Sequence, residues 1–187
     1  MRESWHVREA VRRIASGGII AYPTETLYGL GCDPFNGPAV LRLLELKQRA
    51  IEHGLILIAS HFRQVESLLA PLTTATRQRV MYPGKQPVTW VLPCHEHVPV
   101  WLRGEHHTLA VRLTTHPVSV ALCDRWGGPL VSSSANIHNR PAALTPLAVR
   151  KAFHGQLDYI LHSTQAGSNQ PSQIRDALSG AILRDNG

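Results

Sequence analysis

Two cationic residues, Lys47 and Arg49, follow the apolar stretch "PAVLRLLEL" with a single residue between them. On a continuous helix their side chains would point about 200° apart, whereas alternate residues of an extended chain share one side. Both can therefore bind one ligand only if the helix ends near Lys47. An arginine fork and a lysine point charge suit phosphate oxygens. A solvated cation pair that complements a helix dipole has the same pattern, so both interpretations remain open.

A second group of polar side chains lies in "PLVSSSANIHN", where Ser132, Ser134 and Asn136 alternate with Ser133 and Ala135. If the backbone stays extended, these three side chains emerge on one side. The carboxyl ends of strands are where open α/β sheets bind ligands. The alternative is a turn that caps itself through its serine and asparagine side chains.

The stretch "AYPTETLYGLGCDP", residues 21–34, places Thr24, Thr26 and Tyr28 directly after an apolar run. Several small hydroxyls at the end of a buried strand are suited to a small polar ligand, which needs converging donors in an otherwise dry pocket. Pro23 has no backbone N–H, so we expect the strand to end there.

Several common site types find no support in the sequence. The chain has no G-x-x-x-x-G-K-[ST], no G-x-G-x-x-G and no G-x-S-x-G, so the serines are interpreted as hydrogen-bond donors and not as nucleophiles. One group of residues has the chemistry of metal ligands but not their usual spacing, and we expect exposed histidines there and no structural zinc. These residues are Cys94, His95, His97, His106 and His107.

Composition limits the class of protein. The 187 residues suit a single domain spanning 1–187, and 43% hydrophobic against 17% charged residues is typical of a globular chain. No apolar run approaches the ~20 residues of a membrane helix, so we expect a cytoplasmic protein without membrane contact. Three widely spaced cysteines predict reduced thiols. The net charge of +6 favours a polyanionic partner, either a nucleotide or RNA.

Helical and strand patterns alternate along the chain, which predicts an α/β fold with a twisted, open, mixed sheet and flanking helices. We predict exposed loops at 93–107 and 163–172. Helices are predicted at 4–16, 38–47, 61–70, 73–81, 116–126 and 145–154. Strands are predicted at 18–22, 54–60, 87–92, 108–113, 129–133, 158–161 and 181–184.

Five segments, in this order, resemble the YrdC-like family of L-threonylcarbamoyladenylate synthases, in its single-domain bacterial form: "YPTETLYGLGCDP", "LELKQRA", "LAVRLTTHP", "SSSAN" and "PSQIRDAL". The resemblance implies a YrdC-like fold and a nucleotidyltransferase that makes threonylcarbamoyl-AMP and pyrophosphate from L-threonine, bicarbonate and ATP. Mg²⁺ would accompany the ATP. Downstream proteins would transfer the threonylcarbamoyl group to an adenosine of tRNAs that read codons beginning with A.

The resemblance also assigns site residues, with Lys47 and Arg49 as the catalytic pair. The residues implied to bind ATP are Lys47, Arg49, Thr108, Ser134, Asn136 and Arg184. Those implied to bind or enclose L-threonine are Thr24, Thr26, Tyr28, Arg112, Ser132 and Ser172.

The sequence departs from the family pattern at a few positions. Ala50 replaces a proline of many relatives, so we expect a less constrained turn after Arg49. Ile58 stands where some longer relatives carry a histidine that contacts threonine. Lys85 and Gln86 look like an insertion, which predicts a longer loop near the site. The additional C-terminal domain of longer relatives is expected to be absent.

Two other functions are compatible with the basic composition. The first is a protein without its own catalysis that binds double-stranded or ribosomal RNA, although only 6% of the residues are aromatic and no RNA-binding motif is recognisable. An enzyme that serves tRNA modification could also bind RNA weakly. The second alternative is a simple nucleotide hydrolase, which would act without threonine.

Overall fold

The computed structural model describes residues 4–82, 86–137, 141–162 and 171–185 as an α/β structure. Its helices are α1 (Trp5–Ala15), α2 (Gly37–Lys47), α3 (Thr74–Met81), α4 (Val100–Arg103), α5 (Pro117–Trp126) and α6 (Pro146–Phe153). Its strands are β1 (Ile20–Pro23), β2 (Tyr28–Gly31), β3 (Ile56–Ala59), β4 (Val88–Pro93), β5 (Thr108–Leu113), β6 (Leu130–Ser134), β7 (Tyr159–Ile160), β8 (Gln173–Asp176) and β9 (Ile182–Arg184).

The strands of the described residues form one sheet in the order β7-β1-β2-β6-β3-β5-β4-β8-β9. The pairs β1–β7, β3–β5 and β4–β8 are parallel, and the other neighbours are antiparallel. This arrangement confirms the predicted α/β class with a mixed sheet and flanking helices. Within the described ranges, no helix has the length and apolar character that crossing a membrane requires.

Helices cover both faces of the sheet, which is why β1 is apolar along its whole length. Successive side chains of a strand point to opposite faces. Ile20 and Tyr22 accordingly pack with α1 and α5 through Ile14 and Leu122. Ala21 belongs to the other cluster, which contains buried side chains of α2 and α6.

Strand β2 was not predicted, because its sequence "YGLG" contains two glycines, which are poor strand formers. It pairs antiparallel with β1, which ends at Pro23 as predicted. The surroundings of Gly31 show why this position of β2 is a glycine. A Cβ there would lie 2.5 Å from the Val131 carbonyl oxygen and 2.6 Å from the Tyr22 ring. The glycine therefore allows the strands to pack closely.

The helix predicted at 61–70 is wrong. This segment forms two 3-10 turns, Phe62–Gln64 and Glu66–Leu68, and then pairs with the end of β4 through a bridge between Leu69 and Cys94. Tertiary pairing therefore overrides the local helical pattern. Strand β8 was also missed, and the loop predicted at 93–107 contains the short helix α4.

Two further predictions have different outcomes. The cysteines are all free thiols, as expected. The loop predicted at 163–172 lies outside the described residues except for its last two positions. Of the predicted insertion, Lys85 lies outside the described residues and only Gln86 is described.

Candidate active site

A cavity of about 640 Å³ lies over one face of the sheet, where alternate residues of β5 and the last residues of β6 line it together with residues of neighbouring strands and loops. This volume is in the range of sites for small organic ligands, roughly 300–1,000 Å³. Every residue assigned to the site from the sequence lines this cavity, with the exception of Lys47. The lining set is Thr24, Thr26, Tyr28, Arg49, Thr108, Arg112, Ser132, Ser134, Asn136, Ser172 and Arg184.

The pairing of β2 with β6 brings the two polar segments together. These strands are antiparallel, and Gly29 pairs with Ser134. The start of β2 therefore lies next to the end of β6. As a result, the hydroxyls of the loop between β1 and β2 face the same cavity as the tip of β6.

Helix α2 ends at Lys47, as the two-cation hypothesis required. Gln48 adopts a left-handed conformation with φ of 52°, and the Arg49 backbone N–H donates to the Leu44 carbonyl at 3.0 Å. The chain then turns away from the helix axis, so Arg49 reaches the cavity. Its Nη2 donates to the Gly54 carbonyl at 3.0 Å, which leaves further guanidinium donors for a ligand.

Lys47 lies behind the cavity wall and is only 4% exposed. Its Nζ donates to the Ser134 carbonyl, to the Asn136 carbonyl at 2.8 Å and to Asn136 Oδ1 at 3.2 Å. In this structure the ammonium group therefore fixes the tip of β6. A direct contact between Lys47 and phosphate remains a prediction.

Hydroxyl groups line the side of the cavity formed by the loop between β1 and β2. Thr24 Oγ1 and Thr26 Oγ1 are 3.1 Å apart, and Thr24 Oγ1 donates to the Leu27 carbonyl at 2.8 Å. The Tyr28 ring lines the same wall, while its hydroxyl donates to the Leu161 carbonyl at 3.2 Å. These local bonds hold the small polar groups in place before any ligand binds.

Arg112 supplies a buried positive charge beside these hydroxyls. It is 5% exposed, and its Nη2 donates weakly to Ser132 Oγ at 3.4 Å. Ser172 also lines the cavity; its Oγ lies 2.8 Å from Thr89 Oγ1, and Arg184 Nη2 donates to the Ser172 carbonyl at 3.1 Å. A guanidinium beside several hydroxyls is suited to a carboxylate with a small polar side chain.

Cations are crowded around the cavity, and none of the described residues that line it is acidic. Burial, and then the charge of Arg49, lowers the pKa of Lys47 to about 8. Burial, and then Arg184, lowers the pKa of Arg49, and the pKa of Arg184 is lowered by burial and then by Arg112. Each cation disfavours its neighbour, so a polyanionic ligand would relieve unfavourable charge.

The lowered pKa of Lys47 leads to a measurable prediction. In a ¹³C NMR titration of the lysine side chains, Lys47 should titrate near pH 8, well below the ordinary lysine pKa of about 10.4. Inorganic triphosphate should raise the midpoint of Lys47, because an anion favours its charged form.

The same shift affects stability. Between about pH 8 and 10.5 the unfolded chain binds more protons at Lys47 than the folded protein does. The contribution of Lys47 to the free energy of unfolding should therefore rise with pH in this window, and a Lys47→Met variant should lack this rise. A midpoint near 10.5 in the ligand-free protein would contradict the buried environment described above.

Sequence reasoning missed part of the cavity wall. His53, Arg103 and His106 line it, together with apolar side chains such as Leu55 and Leu102. Nothing in the sequence around His53 or His106 indicated a place in the cavity wall, and His106 was predicted only to be an exposed histidine. Within the described residues, no group of three or more His, Cys, Asp or Glu side chains is arranged to hold a metal ion.

The structure also describes two of the departures from the family pattern. Ala50 has φ of −65°, which is the value that a proline would impose, so the turn there has the conformation that a proline would favour. Ile58 is fully buried among the residues that pack against α1 and α5, and it does not line the cavity.

A mixed α/β fold with a cationic cavity over its sheet is suited to binding small anionic ligands. Comparison with known proteins is more specific: the Sua5/YciO/YrdC family model, described as "Telomere recombination", matches residues 12–186. The chain belongs to this family.

Two curated relatives match nearly the whole chain, and both are named threonylcarbamoyl-AMP synthase. The protein of Nitrosococcus oceani is 52% identical over 183 residues, covering 97% of this chain and 98% of its own length. The protein of Coxiella burnetii is 44% identical over 178 residues, covering 95% and 96%. The resemblance identified from the sequence is thereby confirmed.

A solved structure of Sua5 from P. abyssi complexed with L-threonine has a TM-score of 0.88 and 31% identity to this chain. The match covers 98% of this chain but only 54% of the Sua5 chain, so this protein spans about half the length of that relative. The likeness confirms the YrdC-like fold predicted from the sequence.

Proposed function

We propose that this enzyme is an L-threonylcarbamoyladenylate synthase, which forms threonylcarbamoyl-AMP and pyrophosphate from L-threonine, bicarbonate and ATP. The observation that supports this most directly is the shared cavity. It joins Arg49 and the tip of β6 to Arg112 and the threonine hydroxyls of the loop between β1 and β2. The names of the curated relatives favour this synthase over the RNA-binding alternative.

The reaction has two bond-forming stages. The amine of L-threonine first combines with bicarbonate to give a carbamate and water. A carbamate oxygen then attacks the α-phosphorus of ATP, and pyrophosphate leaves. Because the carbamate is already an anion, this second stage needs positioning and charge stabilisation more than proton transfer. The cavity agrees with that requirement, since its described lining is rich in cations and contains no acidic side chain.

Each side of the cavity has a role in this scheme. Arg112 would bind the carboxylate of L-threonine. Ser132 and Thr26 would lie close to the other polar atoms of L-threonine. Arg49 would bind the triphosphate, and Lys47 would hold the β6 tip against it. The described lining offers no carboxylate for a metal ion, so Mg²⁺ would enter as MgATP, with the metal held by phosphate oxygens.

Substrate preference should follow the polar character of the pocket. Serine lacks only the methyl group of threonine, which is worth roughly 1–3 kcal/mol, whereas valine lacks the hydroxyl that a hydrogen-bonding site recognises. We expect the order threonine, serine, valine in kcat/KM, with valine at least about 100-fold below serine. Measurement of pyrophosphate release with each amino acid tests this order. Equal turnover of valine and threonine would be inconsistent with a pocket that binds the hydroxyl.

A product assay tests the function itself. Labelled bicarbonate, ATP and L-threonine should yield a labelled adenylate with the mass of threonylcarbamoyl-AMP, and omission of any one substrate should abolish it. Release of ADP or AMP without threonine would instead indicate a nucleotide hydrolase. RNA binding that collapses with salt, without adenylate formation, would indicate the RNA-binding alternative.

The product would then be used by other proteins that transfer the threonylcarbamoyl group to tRNA. The mixed anhydride between a carbamate and a phosphate is reactive, so prompt transfer would limit its hydrolysis. The net charge of +6 allows weak contact with RNA during that step.

A further inference from the structure

Glu25 lies between two residues of the cavity wall, Thr24 and Thr26, but does not itself line the cavity. Its side chain extends to the segment that follows β5. Oε1 accepts hydrogen bonds from Thr114 Oγ1 at 2.6 Å, from the Thr115 backbone N–H at 2.6 Å and from the His116 backbone N–H at 3.0 Å. One carboxylate oxygen thus connects the loop between β1 and β2 to the start of α5.

The connected segments are not neighbours in the sheet. Strands β6 and β3 lie between β2 and β5, so no ladder of backbone hydrogen bonds joins the threonine hydroxyls of the loop to Arg112 of β5. The sheet joins these two walls of the proposed threonine subsite only by way of β6 and β3, so any direct contact between them must lie outside the sheet. Glu25 makes such a contact, and Ser119 Oγ makes a second one by donating to the Pro23 carbonyl at 2.8 Å.

The positive charge of Arg112 also acts on the carboxyl group of Glu25. Its Oε2 and the Nε of Arg112 are both buried, and neither has a hydrogen-bond partner among the described residues. Burial acts to raise the pKa of Glu25, but the charge of Arg112 and the hydrogen bonds to Oε1 outweigh it and lower the pKa. The carboxylate therefore remains an anion beside the guanidinium and disfavours any movement of Arg112 away from it.

We propose that Glu25 is a positioning residue for L-threonine: it holds the loop carrying Thr24 and Thr26 at a fixed separation from Arg112, without touching the substrate. This inference rests on the proposed function, because it takes the subsite between these walls to bind L-threonine. ATP contacts the other side of the cavity, so its binding should not depend on this link.

The test compares two affinities measured by calorimetry, one for L-threonine and one for ATP. Glu25→Ala removes the link, and we expect the Kd for L-threonine to rise at least about 10-fold, because small displacements of positioned groups have large effects. The Kd for ATP should stay unchanged within error. Glu25→Gln keeps an acceptor oxygen but lacks the negative charge beside Arg112, so it should have an intermediate Kd for L-threonine.

Glu66→Ala is the matched control: Glu66 also carries a bonded carboxylate, 2.5 Å from Arg77, but neither of these two residues lines the cavity or is next in sequence to a residue that does. It should leave both affinities unchanged. Thermal unfolding shows whether each variant is folded, and if Glu25→Ala is not, the Glu25→Gln comparison decides.

Three results would overturn the inference. An unchanged Kd for L-threonine in Glu25→Ala would refute it while leaving the proposed function intact. If Glu25→Ala raised the Kd for ATP and the Kd for L-threonine equally, Glu25 would have only a general structural role. If the unaltered protein fails to bind L-threonine at all, both the inference and the proposed function are wrong.

Discussion

Replacement of Arg112 by alanine is expected to lower kcat/KM for L-threonine by about 100-fold or more. The guanidinium is buried, donates to Ser132 Oγ, helps to lower the pKa of Glu25, and lines the same cavity as the threonine hydroxyls. Without it, the carboxylate of L-threonine would lose the guanidinium that we assign as its charge partner, although other cations line the same cavity. The measurement is the initial rate of pyrophosphate release across a range of L-threonine concentrations.

The Arg112→Lys variant tests the charge of Arg112 separately from its geometry. Lysine retains the charge but not the planar fork, so it should recover part of the activity if charge and geometry both contribute. ATP affinity should change little in either variant. If Arg112→Ala lost ATP and L-threonine binding equally, the assignment of Arg112 to the threonine side would be wrong.

Replacement of Arg49 by alanine should lower kcat/KM for ATP by about 100-fold, which is typical when one fixed donor to a charged transition state is removed. The cost in folding stability should be only about 1 kcal/mol, because the internal hydrogen bonds of Arg49 go to a single acceptor, the Gly54 carbonyl. Activity should therefore fall far more than stability. Steady-state kinetics and thermal unfolding of the same variant test both parts.

Arg63→Ala is a suitable control, because Arg63 is exposed in a 3-10 turn and does not line the cavity. It removes the same charge from the protein, so it separates local contact from a general effect of net charge. A similar loss of ATP turnover in Arg63→Ala and Arg49→Ala would indicate that only the overall positive charge matters.

The sequence predicted the parts of the fold that have strong local signals. Helix α2 has an asparagine cap, an early proline and regularly spaced apolar residues, and its end at Lys47 followed from the requirement that Lys47 and Arg49 act together. Strand β2 was missed because its glycines are explained only by the close approach of Tyr22 and Val131. The helix predicted at 61–70 failed because the bridge between Leu69 and Cys94 depends on distant residues.

For the site, the residue types and the resemblance identified most of the polar residues that line the cavity, but not His53, Arg103 or His106, and not what each side chain does. The contact of Lys47 with the phosphates stays a prediction, and the sequence did not indicate that its ammonium bonds to the tip of β6. Glu25 was not singled out, since nothing local shows that its carboxylate reaches Thr114. Such roles depend on which segments meet in space, and a single sequence shows this only indirectly.

The central claim is that one cavity holds a triphosphate beside a small amino acid. The most direct test is a crystal structure of the protein with L-threonine and a non-hydrolysable ATP analogue. We predict the carboxylate of L-threonine at Arg112 and the phosphates at Arg49 and the β6 tip, with the amine of L-threonine turned towards the α-phosphorus. Binding of either ligand outside this cavity, or of the two ligands at separate sites, would contradict the account.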